Sequence, residues 1–148
     1  VEELKDSGYE RLREEARQKG CICHGEFNQH NILFCGGGQD TVIHFDKWNF
    51  DLQTADLYQF MRKILEKHNW DLQTGAEILS AYEKEQPLQK TELQNLRIRL
   101  SYPWKYWKLA NHYYGGKKTW MSQKNIEKLE QIKSQKKNWI NFINNMDF

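Results

Sequence analysis

Hydrophobic residues recur every three or four positions along most of the chain, as they do on one face of an α-helix. This spacing predicts six helices, at about residues 2–19, 54–68, 74–85, 91–100, 104–114 and 122–145. Residues that favour helix ends set most of these limits: Gly20, Thr54, Pro87, Pro103 and Gly115–Gly116. Thr91 and Gln94 have the spacing of a capping box, which predicts the start of the fourth helix.

The second predicted helix carries an apolar stripe that we expect to face the core. Its members are Leu57, Phe60, Met61, Ile64 and Leu65. The string Asp-Leu-Gln-Thr precedes or opens this helix at residues 51–54 and recurs at residues 71–74, before the third helix. No longer repeat accompanies it, so the string does not indicate duplication.

One short region has the pattern of β-strands instead. The runs Asn31–Phe34 and Thr41–Phe45 are rich in β-branched and aromatic residues, and they flank Gly36-Gly37-Gly38. Because glycine adopts positive φ without strain, this pattern predicts a β-hairpin with a glycine-rich turn. Cys21–Cys23 is predicted to be a short strand leading toward it. The fold class is therefore mainly α with a small β-hairpin (α+β).

Composition narrows the class of protein. The 148 residues are 39% hydrophobic and 28% charged, a balance typical of one globular domain. The net charge of +2 is too small to indicate a nucleic-acid partner. A run of roughly eighteen apolar residues, which a membrane helix needs, does not occur in the sequence, so no membrane partner is predicted.

Polar side chains that could take part in catalysis or metal binding surround the predicted hairpin. His24, Glu26 and Asn31 lie in the loop that enters it, and His44 and Asp46 lie at the end of its second strand. We expect these groups to converge on one cleft. Three cysteines in this part of the chain, at positions 21, 23 and 35, are interpreted as reduced thiols, with a zinc site as the weaker alternative because Cys-x-x-Cys spacing is missing.

The segment from His24 to Asp46 resembles the catalytic segment of the aminoglycoside phosphotransferase and choline kinase superfamily, in which His-Gly-Asp, four residues and Asn precede a strand ending in Ile-Asp. It is more similar to the CotS-like spore coat branch, through residues 56–63, 78–83, 102–108 and 113–114. The resemblance implies the C-terminal lobe of a protein-kinase-like fold. Residues 1–53 would carry the catalytic-loop helix and hairpin, residues 54–148 would form a helical subdomain, and the N-terminal ATP-binding lobe would be absent.

In that superfamily the loop aspartate receives the substrate hydroxyl proton, while the asparagine and the strand aspartate hold Mg²⁺ on ATP. Glu26 stands at the proton-accepting position, Asn31 keeps the metal-binding amide, and His44 stands at the metal aspartate. Asp46 can replace His44 only from about 6–7 Å farther along the strand. Asp56, twelve residues after His44, matches an aspartate that braces the catalytic loop.

The resemblance also assigns His24 to ordering the loop. Mg-ATP is the cofactor of the superfamily, but because Glu26 and His44 depart from the family's two aspartates, we expect this chain not to bind it. The expected function is a binding or structural role as a spore coat pseudokinase. The alternative is an active ATP-dependent kinase of small-molecule hydroxyl groups in a full-length form. Expected partners are the missing lobe, other spore coat proteins or a second copy of the chain, and the expected location is the bacterial cytoplasm or the spore coat.

A dense aromatic group lies toward the end of the chain. Its members are Trp104, Tyr106, Trp107, His112, Tyr113 and Tyr114. Rings at helical spacing usually bury large apolar area, so core packing is predicted. The alternative is a wall of an acceptor site that binds cations through their rings.

Overall fold

A computed structural model describes residues 8–115 and 121–148. The helices are α1 (Tyr9–Gln18), α2 (Thr54–Lys67), α3 (Leu72–Glu85), α4 (Lys90–Leu100), α5 (Trp104–Tyr114) and α6 (Gln123–Asn145). The strands are β1 (Ile22–Cys23), β2 (Ile32–Leu33), β3 (Thr41–Val42) and β4 (Asn49–Phe50), with a 3₁₀ turn at Gln29–Asn31 before β2. The predicted fold class is confirmed. Positions 2–7 and 116, parts of the first predicted helix and the Gly-Gly stop, lie outside the described residues.

The strands differ in two ways from the sequence-based prediction. The hairpin exists, with Ile32 paired to Val42 and Leu33 to Thr41, but each strand has only two residues. The strand ends early because His44 takes a left-handed conformation, with φ 64°, which a strand cannot contain. A second antiparallel pair joins β1 to β4, which lies between the hairpin and α2, where the sequence pattern predicted no strand.

The core is built by α2, α3, α4 and α6. Met61, Leu65, Leu96 and Phe142 are fully buried in it. The predicted stripe of α2 is confirmed for Leu57, Met61 and Leu65, which follow one another at a spacing of four residues. Phe60 and Ile64 are only partly buried, because they flank this row.

Helix α6 packs closely on α3 because position 75 is a glycine, which has no side chain. A Cβ atom at Gly75 would lie 2.3 Å from Cε2 of Phe142, so glycine leaves the space that the phenylalanine ring fills. Phe142 also lies edge-on to Trp70, with ring centroids 5.7 Å apart. These contacts fix the long C-terminal helix against the body of the protein.

Helix α1 is attached through a polar network. The Tyr9 hydroxyl donates to Asp51 at 3.1 Å, and the Arg99 guanidinium lies 3.6 Å from the same carboxylate and over the Tyr9 ring. Burial raises the pKa of Tyr9, and the neighbouring Asp51 charge raises it further. The network connects α1, the segment before α2, and α4.

Core packing of the aromatic group in α5 was predicted, and for most of its rings this is wrong. Trp104 is 40% exposed and Tyr114 is 83% exposed, while Leu109 is the buried residue of the helix. The reason is that α5 packs mainly on α6, so only one row of its side chains faces inward. Trp104 and Trp107 stack on each other at the surface, with centroids 5.3 Å apart.

The fourth helix begins earlier than predicted. Glu92 accepts a hydrogen bond from the backbone of Gln89 at 2.9 Å, so the reciprocal bond of a capping box spans residues 89 to 92 and not 91 to 94. Among the described residues, no helix is both long and apolar enough to span a lipid bilayer.

Candidate active-site loop

The loop between β1 and β2 is hydrogen-bonded to the first turn of α2. The carboxylate of Asp56 accepts hydrogen bonds from the backbone N–H groups of His24, at 2.5 Å, and Gly25, at 3.0 Å. Two N–H donors on one carboxylate fix both the position and the orientation of the loop entrance. Asp56 is thus a positioning residue, and its side chain is occupied by the backbone.

The imidazole of His24 joins this loop to the hairpin. The ring is 95% buried, Nε2 donates to the carbonyl of Ile43 at 2.8 Å, and Nδ1 accepts from the N–H of Glu26 at 3.1 Å. With one nitrogen facing an acceptor and the other a donor, the network assigns the neutral tautomer protonated at Nε2. Phe45 packs on the ring, with centroids 4.6 Å apart.

Gly25 is essential to the loop, although sequence reasoning gave it no role. Its φ is +81°, and a Cβ atom here would lie 2.0 Å from the carbonyl oxygen of Lys47. Gln59 donates to the Gly25 carbonyl at 2.6 Å. Gln59 lies one helical turn after Asp56, so the i, i+3 spacing was the signal that could have found it.

Asparagine side chains close the far end of the loop. Asn31 donates from Nδ2 to the Glu26 carbonyl at 2.9 Å, and Asn28 donates to the same oxygen at 2.6 Å. Asn28 also accepts from the backbone of His30 at 3.0 Å, which starts the 3₁₀ turn. The amide nitrogen of Asn31 is thereby used in the loop, and its Oδ1 is the atom left for another partner.

The carboxylate of Glu26 forms an ion pair with the ammonium group of Lys47, which sequence reasoning also missed. The pair is open to solvent, since the Glu26 side chain is 45% exposed and that of Lys47 is 66% exposed. The hydrogen bond from Lys47 lowers the pKa of Glu26 below its ordinary range, and the charges of Lys47 and, more weakly, Lys63 act in the same direction.

His44 and Asp46 follow β3 and are both exposed. Ile43, the residue before His44, accepts from His24 and donates its N–H to the Asn31 carbonyl at 3.0 Å. These contacts bring the backbone segments that carry Glu26, Asn31 and His44 into one region. That their side chains share a single pocket remains a prediction.

A metal ion would have few ligands among the described residues, where no group of three His, Cys, Asp or Glu side chains is arranged to hold one. The cysteines do not form a cluster. Cys23 is buried and donates from Sγ to the Leu52 carbonyl at 3.2 Å, and burial raises the pKa of its thiol to about 12. Cys21 is partly buried and Cys35 is exposed. The thiol of Cys23 is therefore a packing and hydrogen-bonding group.

Comparison with known proteins identifies relatives for nearly the whole chain. The family described as "Spore coat putative kinase YutH" matches residues 4–146. Spore coat protein S of Bacillus subtilis is 28% identical over 123 residues, which are 82% of this chain and 35% of the relative. Endospore coat-associated protein YutH of the same organism is 29% identical over 102 residues, which are 68% of this chain and 29% of the relative.

A solved structure shares the fold. An aminoglycoside phosphotransferase from Alicyclobacillus acidocaldarius superimposes with a TM-score of 0.84 and 20% identity, over 95% of this chain and 42% of that one. The chain thus spans about a third of the length of the curated relatives it matches. At this identity the structural likeness concerns the fold alone.

We predict that Gly25→Ala destabilises the protein more than Gly37→Ala. Both glycines have positive φ, so both variants carry the same kind of backbone strain, but no atom lies within 4 Å of a Cβ at Gly37. The clash of a Cβ at position 25 with Lys47 should add roughly 1–3 kcal/mol to the loss, measured by denaturant unfolding. Equal losses for the two variants would show that the close approach of Lys47 does not constrain the loop.

A second prediction concerns the charge of Glu26. Lys47→Met should raise the pKa of Glu26 toward the ordinary glutamate value, while Lys63→Met, which removes a weaker influence, should shift it less. NMR titration of the Glu26 carboxyl measures both shifts. Because the folded-state pKa is depressed, the stabilisation by Lys47 is present above the unfolded pKa and is lost as pH falls through the folded one. Equal shifts in the two variants would rule out the ion pair as the main cause.

Proposed function

The chain belongs to the spore coat putative kinase family typified by YutH, and from this we propose that it is a member with a degenerate phosphotransfer site, which acts by binding or by structure. We further propose that it works in the spore coat, as the names of its relatives suggest. Because the chain covers only part of those relatives, the proposal concerns the natural protein that contains it.

The ion pair between Glu26 and Lys47 is the observation that carries this proposal. A general base must be free to accept a proton from the substrate hydroxyl and must have a matched pKa. Here the carboxylate at the base position is engaged by an ammonium group that lowers its proton affinity. Glutamate is also one methylene longer than aspartate, and a displacement of about 1 Å can lose roughly 10²-fold in rate.

The metal side of the site supports the same proposal. Mg²⁺ prefers hard oxygen ligands in octahedral geometry, whereas imidazole suits softer transition metals. His44 supplies an imidazole where the superfamily has a carboxylate, and Asn31 contributes one amide oxygen. This donor set does not fit Mg²⁺, so we derive no step of catalysis through the metal.

The alternative function is an active small-molecule kinase. It is favoured by the intact loop, since the contacts of His24, Asn31 and Asp56 hold the backbone in order. In that case Glu26 would act as the base and Asp46 would take the place of the metal aspartate. The two functions differ in whether nucleotide binding depends on Mg²⁺.

We expect the natural full-length protein to bind a fluorescent ATP analogue with nearly the same affinity with and without Mg²⁺. Restoring the superfamily residues with Glu26→Asp and His44→Asp should make Mg²⁺ strengthen binding by at least about tenfold, or 1.4 kcal/mol. Glu26→Asp combined with His30→Asp is the matched control, since His30 is an exposed histidine of the same loop. It should not respond to Mg²⁺. Tight Mg²⁺-dependent binding by the unaltered protein that Asn31→Ala abolishes would overturn the proposal and favour the kinase.

We also propose that an exposed apolar face beside the loop contacts the remainder of a longer natural protein. Ile22, Phe45, Trp48 and Phe50 are all exposed by more than a third of their surface, although they are large and apolar. The part of the relatives that this chain does not cover is long enough to include a partner lobe. A second copy of the chain and another coat protein are the competing occupants.

Sedimentation velocity tests this proposal. Residues 1–148 expressed alone should self-associate at high concentration, and Trp48→Ser with Phe50→Ser should weaken that association. The full-length protein should sediment as a monomer, because its own lobe covers the face. Monomeric behaviour of the isolated residues, or association of the full-length protein through the same side chains, would contradict the proposed occupant.

A further inference from the structure

A second concave site lies away from the loop, between the end of α2, the start of α5 and the middle of α6. It is a cavity of about 560 Å³. On the α2 side it begins at Arg62, six residues and therefore about 9 Å along the helix from Asp56. Its volume lies in the range of sites that enclose a small organic molecule.

The walls of the cavity are largely aromatic. Trp70 and Trp139 lie on one side, with ring centroids 6.2 Å apart, and the Trp139 indole donates to the Leu100 carbonyl at 3.0 Å, which fixes its orientation. Tyr102 and Trp104 also line the cavity, at the exposed start of α5. Such walls favour a planar apolar body.

Arg62 supplies the polar end of the cavity. It lines the site, is only 8% exposed, and forms an ion pair with Glu66 at 2.8 Å. Its Nε is a buried donor that has no hydrogen-bond partner within the part of the chain that the structure describes. A buried charged donor left unpaired is costly, so the Arg62 guanidinium keeps hydrogen-bonding capacity beyond its pair with Glu66.

The charged residues that line the cavity favour a ligand of negative charge. Among the described lining residues, four are basic, including Lys105, Lys133 and Lys136, and only Glu66 is acidic. Glu66 is already paired with Arg62, so the field at the mouth of the cavity is positive. This argues against a cationic ligand, the alternative that the exposed rings alone would favour.

We propose that this cavity binds an amphipathic organic anion, with a ring-sized apolar body packed against the aromatic wall and a carboxylate, sulfonate or phosphate group directed to Arg62 and the lysines. The site does not depend on phosphotransfer chemistry and is independent of the state of Glu26 and His44.

The test uses the full-length natural protein and two fluorescent probes with the same aromatic body. Anilinonaphthalene sulfonate carries an anionic group, and N-phenylnaphthylamine lacks it. The sulfonate should bind at one site per chain and more tightly than the neutral probe. Equal affinity for the two probes would show that the site does not recognise the anion.

Variants locate the binding in this cavity. Lys133→Glu with Lys136→Glu should weaken sulfonate binding by about tenfold, because both lysines line the cavity. Lys124→Glu with Lys137→Glu is the matched control, since both are exposed lysines on the same helix that do not line the cavity. An equal effect of this pair would mean that only the general charge of α6 matters and would overturn the proposal.

A separate variant tests Arg62. Replacing both members of the buried pair, with Arg62→Met and Glu66→Met, avoids leaving a lone buried carboxylate. It should reduce the preference for the sulfonate, with the lysines accounting for the part that remains, while the neutral probe still binds. Should this variant fail to fold, the lysine variants still decide the proposal. An undiminished preference in a folded double variant would exclude Arg62 as an anion-binding group.

Discussion

The structure depends on one carboxylate that holds backbone and not substrate. Asp56 accepts the N–H groups of His24 and Gly25, and it sits in the first turn of the helix that also forms the centre of the core. The helix N-terminus favours a negative charge at that place. Together with Gln59, one turn later on the same helix, Asp56 therefore couples the loop to the helical core.

Beyond the Asp56 contacts, further contacts of consecutive residues order the rest of the loop. His24 extends the constraint to Ile43 and thus to the hairpin, while Gly25 allows the carbonyl of Lys47 to approach. The two pairs of strands are each only two residues long and would be unstable alone. Hydrogen bonds from side chains to the backbone stabilise this region, as longer runs of paired strand residues do in larger sheets.

Sequence reasoning predicted the helices and the hairpin well, and the contacts between residues distant in sequence less well. The stripe of α2 and the glycine turn were accessible because they depend on local spacing. The string Asp-Leu-Gln-Thr shows the limit: Asp71 accepts from Thr74 and caps α3, whereas Asp51 accepts from Tyr9 and faces Arg99. The same four residues differ because partners distant in sequence compete for the carboxylate, and no local pattern records those partners. The pairing of Glu26 with Lys47, 21 residues away, was hidden for the same reason.

These contacts also show which atoms of the loop maintain its structure. The bonds that order the loop use the backbone of Glu26 and the neutral imidazole of His24, and none of them requires a carboxylate at position 26 or at position 44. Replacement of Gly25 or Asp56 would disturb these backbone contacts, whereas the side chains of Glu26 and His44 take no part in them. Substitution at those two positions therefore carries little structural penalty, and Glu26 adds an ion pair with Lys47. The order of the loop is thus physically separable from the chemistry of its side chains at positions 26 and 44, because the two depend on different atoms.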